Sequence, residues 1–238
     1  MLQERTIDYQ HNGAQLEGFL AYDDATPGPL PGVLISHAWA GREKLECDKA
    51  RALAGHGYAG FALDLYGKGV IGSDAEENTK LMQPFLDDRI MLQSRLTTSL
   101  DTFRSQPEVD ASRIVAMGFC FGGLCVLDLA RIGAGVRGVA SFHGLFTPPG
   151  NTTGNPITAK VLVLHGHRDP MVPVDEVIKL ENELVEAGAD WQIHVYGNAM
   201  HSFTNPAAND PSFGTMYDVD TDRRSWQTLL NFLDEVIA

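Results

Sequence analysis

Short apolar runs alternate with segments of helical periodicity along most of this chain, and that alternation restricts its possible folds more than any other feature. Gly32–Ser36 and Ala159–Leu164 have the character of buried parallel strands. Helical periodicity follows over Leu45–Ala54 after the first run and over about Val174–Ala187 after the second. Strands that alternate with helices predict an α/β fold, with a mostly parallel central sheet and helices on both faces.

The rest of the chain extends this pattern. Alternating apolar and polar residues over Thr6–Gln10 and Leu16–Tyr22 predict an N-terminal antiparallel hairpin. Further strands are predicted over Tyr58–Leu63, Arg113–Met117, Val136–Phe142 and Trp191–Tyr196. A long helix is predicted through Leu92, Leu96, Leu100 and Phe103, and Pro84 is expected to separate it from a shorter helix before it. Two more helices are predicted, one over Cys120–Ala130 and one from about Thr221 to the end. Because no linker or repeat interrupts the pattern, we expect one domain over residues 1–238 without a large cap domain.

The charge and the cysteine content exclude several classes of protein. The 238 residues carry a formal net charge of −13, which argues against nucleic acid or an anionic membrane as a partner. Met1–Arg5 does not resemble the start of a signal peptide, and no apolar run approaches the roughly 18 residues of a spanning helix. Cys47, Cys120 and Cys125 form no disulfide framework, so we expect a cytoplasmic protein.

The segment Gly118–Gly123 lies where a predicted strand meets a predicted helix. Its sequence, Gly-Phe-Cys-Phe-Gly-Gly, matches the G-x-nucleophile-x-G elbow, in which small residues permit a tight turn below a projecting nucleophile. The projecting atom would be the sulfur of Cys120. A free cysteine is often only a small buried hydrophobe, which is our interpretation of Cys47 and Cys125. The position of Cys120 makes it the candidate nucleophile.

A nucleophilic thiol needs a base, and the base needs an orienting carboxylate. Asp169 lies just past one predicted strand, and His201 lies just past the strand Trp191–Tyr196. Since the ligand crevice of a parallel sheet lies at the carboxyl ends of its strands, both side chains are expected near Cys120. Considered alone, Asp169 is equally typical of a turn before a proline, and His201 of an ordinary loop histidine without a catalytic role. In the order nucleophile, acid, histidine, the three predict a catalytic triad of the α/β-hydrolase arrangement.

Two histidines leave a second class of enzyme open. His165-x-His167-x-Asp169 matches the start of the metallohydrolase motif H-x-H-x-D-H, but Pro170 stands where that motif needs its last histidine. His143 follows another strand end and is interpreted as a packing or supporting residue. The chain has no dinucleotide fingerprint, no P-loop lysine and no complete metal set, so no cofactor is expected.

With the elbow, acid and histidine identified, nearly the whole chain resembles the dienelactone hydrolase family of α/β-hydrolases. The matching segments are Gly118–Gly123, His165–Pro173 and His201–Phe203, and the cysteine in place of serine is the most diagnostic of these features. The resemblance implies a carboxylic ester hydrolase with an α/β-hydrolase fold.

The resemblance also implies a role for each residue of the site. Cys120 attacks an ester or lactone carbonyl, His201 transfers protons, and Asp169 orients and supports the imidazole. The oxyanion is held by the backbone N–H of Phe121 and by a second N–H from the loop at Ala38-Trp39.

Two departures from the family pattern concern the substrate. The family member that hydrolyses dienelactone has a glutamate on the loop after the early strand, and the aligned position here is Ala38. That enzyme also grips the substrate carboxylate with an arginine soon after the catalytic histidine, where this chain has Thr204-Asn205. Arg42 and Arg89 are available cations. The predicted substrate pocket contains His37, Ala38, Phe203 and Arg89.

The sequence therefore predicts hydrolysis of a small carboxylic ester or lactone through a thioester acyl-enzyme. The predicted partner is a small-molecule substrate, without nucleic acid or membrane, and the protein is expected to be a monomer or homodimer. Two alternatives stay open. One is a non-catalytic ligand-binding protein on the same scaffold, suggested by Ala38 and Asn205. The other is a metallohydrolase that uses His165, His167 and Asp169.

Overall fold

In a computed structural model, the chain forms ten strands and six helices between residues 1 and 237, which are the residues that the structure describes. The strands are β1 Leu2–His11, β2 Ala14–Asp23, β3 Leu30–Ser36, β4 Ala59–Ala62, β5 Val109–Phe119, β6 Gly138–Phe142, β7 Lys160–Gly166, β8 Trp191–Tyr196, β9 Asn209–Asp210 and β10 Thr215–Met216. The helices are α1 Lys44–Ala54, α2 Ala75–Asp87, α3 Arg89–Arg104, α4 Phe121–Arg131, α5 Val174–Glu186 and α6 Val219–Ile237.

Strands β1 to β8 form one mixed, mostly parallel sheet in the order β1-β2-β4-β3-β5-β6-β7-β8, while β9 and β10 pair separately. This confirms the α/β fold predicted from the alternation of strands and helices. The chain divides into two compact units, Met1–Ala116 and the residues from Met117 onwards, and β5 passes from one to the other. The expectation of a single domain stays a prediction.

The first unit begins with the predicted hairpin. β1 and β2 pair antiparallel around a turn in which Asn12 and Gly13 both have positive φ, the geometry that a two-residue hairpin turn requires. β2 also pairs antiparallel with β4, and β3 pairs parallel with β4. Helix α1 packs against β2, β3 and β4. The buried apolar residues of β3 and β4 form the centre of this unit.

The break between α2 and α3 lies at Asp88, and the prediction that Pro84 separates the two helices is wrong. Pro84 lies within α2, four residues before its cap. A proline in the last turn removes one helical hydrogen bond, and the helix ends soon after it. The carboxylate of Asp88 accepts a hydrogen bond from the Met91 N–H at 2.9 Å and so begins α3.

In the second unit, β6, β7 and β8 pair parallel, so their carboxyl ends share one edge of the sheet. Helix α4 packs on β6, and every one of its residues is buried. Arg131, at the end of α4, places its charge against Asp128 and Glu183. No helix within residues 1–237 combines the length and apolar character needed to cross a membrane.

Candidate active site

Cys120 occupies the tight turn between β5 and α4. Its backbone has φ 55° and ψ −115°, a conformation that non-glycine residues rarely adopt and that is common at functional sites. A Cβ on Gly118 would lie 2.1 Å from the carbonyl oxygen of Gly122, so the turn closes only with glycine there. The predicted elbow is therefore present, although α4 begins at Phe121 and not at Cys120 as the sequence suggested.

Asp169 and His201 are joined by a direct hydrogen bond. The His201 Nδ1–H donates to the Asp169 Oδ2 at 2.7 Å, and both side chains are buried. The other oxygen, Oδ1, accepts a hydrogen bond from the backbone N–H of Met171 at 2.8 Å. With both carboxylate oxygens engaged, Asp169 fixes the tautomer of His201 and leaves Nε2 as the reactive nitrogen.

The loops after β7 and β8 meet closely, which brings Asp169 to His201. Gly166 lies so near this contact that a Cβ on it would be 2.6 Å from the Ala199 carbonyl oxygen. The N–H of Arg168 donates to the same oxygen at 2.9 Å, and the His167 N–H donates to the Tyr196 carbonyl at 3.0 Å. The positions of Asp169 and His201 thus follow from hydrogen bonds between loops that are distant in sequence.

The β9–β10 hairpin holds the backbone of His201, and sequence reasoning missed it. The His201 N–H donates to the Gly214 carbonyl at 3.0 Å, and the His201 carbonyl accepts from the Met216 N–H at 3.1 Å. The one sequence signal was the turn-forming run from Asp210 to Gly214, Asp-Pro-Ser-Phe-Gly. Strands of two residues are too short to give a periodic pattern.

The electrostatic environment of His201 favours its charged form. Burial alone would lower its pKa, but the charge interaction with Cys120 and the hydrogen bond to Asp169 outweigh burial and raise the pKa from 6.5 to about 10. Nε2 is buried, and within residues 1–237 it makes no hydrogen bond that meets ordinary geometric criteria.

This shift predicts that His201 keeps its proton through neutral pH and loses it near pH 10. Because the folded pKa lies above the unfolded value, the contribution to the free energy of unfolding is complete below about pH 6.5 and disappears as the pH rises through about 10. A ring NMR titration measures the pKa directly. In Cys120→Ala the pKa should fall, since the thiolate is gone while burial remains. An equally high pKa in that variant would contradict the assigned cause.

The other predicted pocket residues lie in several places. His37, Ala38 and Trp39 follow β3, and Arg89 begins α3, all in the first unit. His37 is buried and serves the backbone, because its Nδ1–H donates to the Ala38 carbonyl at 2.6 Å and its Nε2 accepts from the Leu65 N–H at 3.2 Å. Phe203 is fully buried in the second unit. Their roles in a substrate pocket stay predictions.

Glu46 supports the same loop and was missed by the sequence analysis. It is buried in the first turn of α1, where its carboxylate accepts hydrogen bonds from the N–H groups of Glu43 at 3.0 Å and Ala38 at 3.4 Å. Burial raises the pKa of Glu46 to about 7. The capping-box spacing of Glu43 and Glu46 was the available signal, but it gives no indication that the carboxylate also reaches Ala38.

The residues of the metallohydrolase hypothesis do not form a metal site. No group of three His, Cys, Asp or Glu side chains within residues 1–237 is arranged to hold a metal ion. Asp169 is engaged with His201, and burial lowers the pKa of His165. None of the three cysteines, all within residues 1–237, forms a disulfide. Cys125 is fully buried and Cys47 half-buried, and burial raises the pKa of Cys47.

The second unit also has a cavity of about 260 Å³ away from these residues. Its lining includes Arg131, Phe146, Lys179 and Glu183. Arg131 is paired with Glu183, and Lys179 with Glu176, while Glu186 adds a third carboxylate to the lining. It contains none of the three residues of the predicted triad.

A strand–turn–helix with a cysteine at the turn, followed by an Asp–His pair at later strand ends, defines an α/β-hydrolase. The profile of the dienelactone hydrolase family matches residues 16–237. The chain belongs to the dienelactone hydrolase family, as the sequence motifs predicted.

Individual relatives agree with this assignment. The solved structure named m3DLH is 38% identical, with a TM-score of 0.95 and coverage of 100% of this chain and 99% of that chain. A dienelactone hydrolase-like promiscuous phosphotriesterase from metagenomic libraries is 34% identical, with a TM-score of 0.93 and the same coverage. A Yersinia pestis protein assigned as a carboxymethylenebutenolidase is 24% identical over 98% of this chain and 87% of that protein. The chain is therefore a dienelactone hydrolase-like hydrolase.

Proposed function

We propose that this protein hydrolyses small carboxylic esters or lactones, with Cys120 as nucleophile, His201 as proton carrier and Asp169 as the group that orients His201. The observation that carries the proposal is the buried hydrogen bond from the Nδ1–H of His201 to Asp169 at 2.7 Å, in the same unit as Cys120 in its tight turn between β5 and α4. The raised pKa of His201, about 10, supports it. A histidine held in this way stabilises a thiolate, which is the reactive form of cysteine.

The reaction proceeds in two halves. The Cys120 thiolate, at the N-terminus of α4, attacks the carbonyl carbon, and the resulting oxyanion accepts a hydrogen bond from the backbone N–H of Phe121. The family resemblance assigns a second donor to Trp39. As the carbon–oxygen bond breaks, the leaving alkoxide takes the proton of His201 and a thioester remains on Cys120. His201 then removes a proton from water, the resulting hydroxide displaces the thiolate, and the carboxylic acid is released.

The thioester can be trapped. On mixing with p-nitrophenyl acetate, we expect a burst of p-nitrophenol of about one equivalent per protein if deacylation is the slower step. Acid quenching followed by peptide mapping should locate one acetyl group on Cys120. Alkylation by iodoacetamide beforehand should remove both the burst and the acetyl group. An acetyl group on a different residue during turnover would refute the assigned nucleophile.

We propose phosphotriester hydrolysis as a second activity of the same thiol, because a 34% identical relative is a promiscuous phosphotriesterase. The same thiolate would attack phosphorus in place of carbon, forming a sulfur–phosphorus bond as the bond to the aryloxide breaks and p-nitrophenolate leaves. Water, deprotonated at His201, would then displace the thiolate from phosphorus and release the phosphodiester. Diethyl p-nitrophenyl phosphate and p-nitrophenyl acetate release the same chromophore, so their rates compare directly. Iodoacetamide should inhibit both reactions in parallel with labelling of Cys120. Triester turnover that survives complete labelling would assign this activity elsewhere.

A further inference from the structure

The turn Phe142–Leu145, at the carboxyl end of β6, holds the backbone of Cys120. The Cys120 N–H donates to the Phe142 carbonyl at 3.0 Å, and the Leu145 N–H donates to the Cys120 carbonyl at 3.4 Å. Both polar groups of the strained backbone at Cys120 thus contact one short segment. A displacement of this turn would therefore move the sulfur.

The side chain of His143, within the same turn, lies against the histidine of the proposed triad. The two imidazole ring centres are 5.0 Å apart, and the rings meet edge to face at 64°. Nε2 of His143 lies 2.9 Å from Oγ1 of Thr204, and both residues are buried. The His143 N–H also donates to the Leu164 carbonyl of β7 at 2.8 Å. His143 thus connects its own turn to strand β7 and to the loop after β8 that holds both Thr204 and His201.

The backbone of His143 is itself in an unfavourable conformation. Its φ is 37°, within the left-handed region that favours glycine. Such a conformation persists only where the surrounding contacts compensate for it. Phe203 supplies one such contact, with its ring centre 5.0 Å from that of His143 at 83°. The ring of His143 is therefore held in place on several sides.

We infer that His143, held by Thr204, is a positioning residue that fixes the orientation of the His201 ring relative to Cys120. This inference rests on the proposed function. The single hydrogen bond from Nδ1 to Asp169 leaves the ring free to pivot about that bond. The second ring, packed against it at 5.0 Å, restricts this motion and so limits the positions that Nε2 can adopt. The hydroxyl of Thr204, in turn, holds the ring of His143 in place.

Two substitutions separate this role from general packing. His143→Asn removes the ring but keeps a residue that tolerates positive φ, and Thr204→Val removes the hydroxyl but keeps the shape. For each, we expect kcat for p-nitrophenyl acetate and the rate of Cys120 alkylation by iodoacetamide to fall about five- to tenfold, the effect of one lost hydrogen bond. KM should not change, because neither side chain is assigned a contact with the substrate.

The double variant and a rescue variant make the test specific. Because both residues act through one contact, the double variant should be no slower than the slower single variant. Thr204→Ser keeps the hydroxyl and should retain the wild-type rates. Thr221→Val, a buried threonine at the start of α6, is the matched control and should also retain them. The Tm of every variant is measured alongside.

Three outcomes would overturn the inference. They are a lower Tm with unchanged kcat and alkylation rate, a change in KM alone, or losses that multiply in the double variant. The rate of Cys120 alkylation does not depend on ester hydrolysis, so it tests the role of His143 separately from the proposed function. If Cys120→Ala stayed active, the proposed function would fail, yet slower alkylation of Cys120 in His143→Asn would still show that His143 controls the thiolate.

Discussion

Cys120→Ala is expected to lower kcat for p-nitrophenyl acetate by about 10⁵-fold or more, since removing the nucleophile of a triad costs about as much as removing the whole triad. The sulfur supplies the attacking electron pair, and neither His201 nor Asp169 can replace it in forming a thioester. The measurement is steady-state hydrolysis, with protein purified separately from wild-type material. The acetyl adduct should be absent from the variant.

Cys47→Ala is the matched control for this experiment. Cys47 is the other thiol that is not fully buried, and it lies in α1 of the first unit. Its substitution should leave kcat unchanged and should not prevent inhibition by iodoacetamide. If Cys120→Ala kept most of the activity, the thiol mechanism would be wrong, and a non-thiol nucleophile would have to be sought.

Asp169→Asn is expected to lower kcat by about 10⁴-fold with little change in KM, as for a triad acid replaced by its amide. The amide has one acceptor oxygen, whereas the carboxylate accepts from both His201 and Met171. If the amide nitrogen faces His201, the imidazole adopts the wrong tautomer. The loss of negative charge should also lower the pKa of His201, which the ring NMR titration measures.

Asp175→Asn provides the comparison for this variant, because Asp175 is an exposed carboxylate in the first turn of α5. It should have wild-type kcat and KM. An Asp169→Asn variant that changed KM and not kcat would show that the carboxylate serves substrate binding and not the base.

Much of the fold could be predicted from the sequence because buried parallel strands and amphipathic helices have distinct periodicities. The hairpin of β1 and β2 could also be predicted, because its turn contains Asn-Gly. The boundary between α2 and α3 was predicted wrongly because two local sequence signals conflict there. Pro84 is a strong helix breaker, yet the last turn of α2 accommodates it and Asp88 sets the boundary.

Candidate site residues could be named from the sequence where the place of a residue in the chain gives a signal. Cys120 was identified from the glycines around it, and Asp169 and His201 from their positions after strands. The structure brings Asp169 and His201 into contact, as expected from chain order. Glu46, the β9–β10 hairpin and the contact of His143 with His201 were not predicted. The contacts of Glu46 with Ala38, of the hairpin with His201 and of His143 with His201 join residues at least eight positions apart, and no local pattern encodes such contacts.

The sequence by itself determined the α/β class, the elbow and the order of the candidate catalytic residues, because these depend on short-range periodicity and on turn sterics. Only the tertiary structure decided which groups hold His201 and what its pKa is. Those properties arise from burial and from charges that meet across loops, and both depend on distances in space that separation along the chain does not specify.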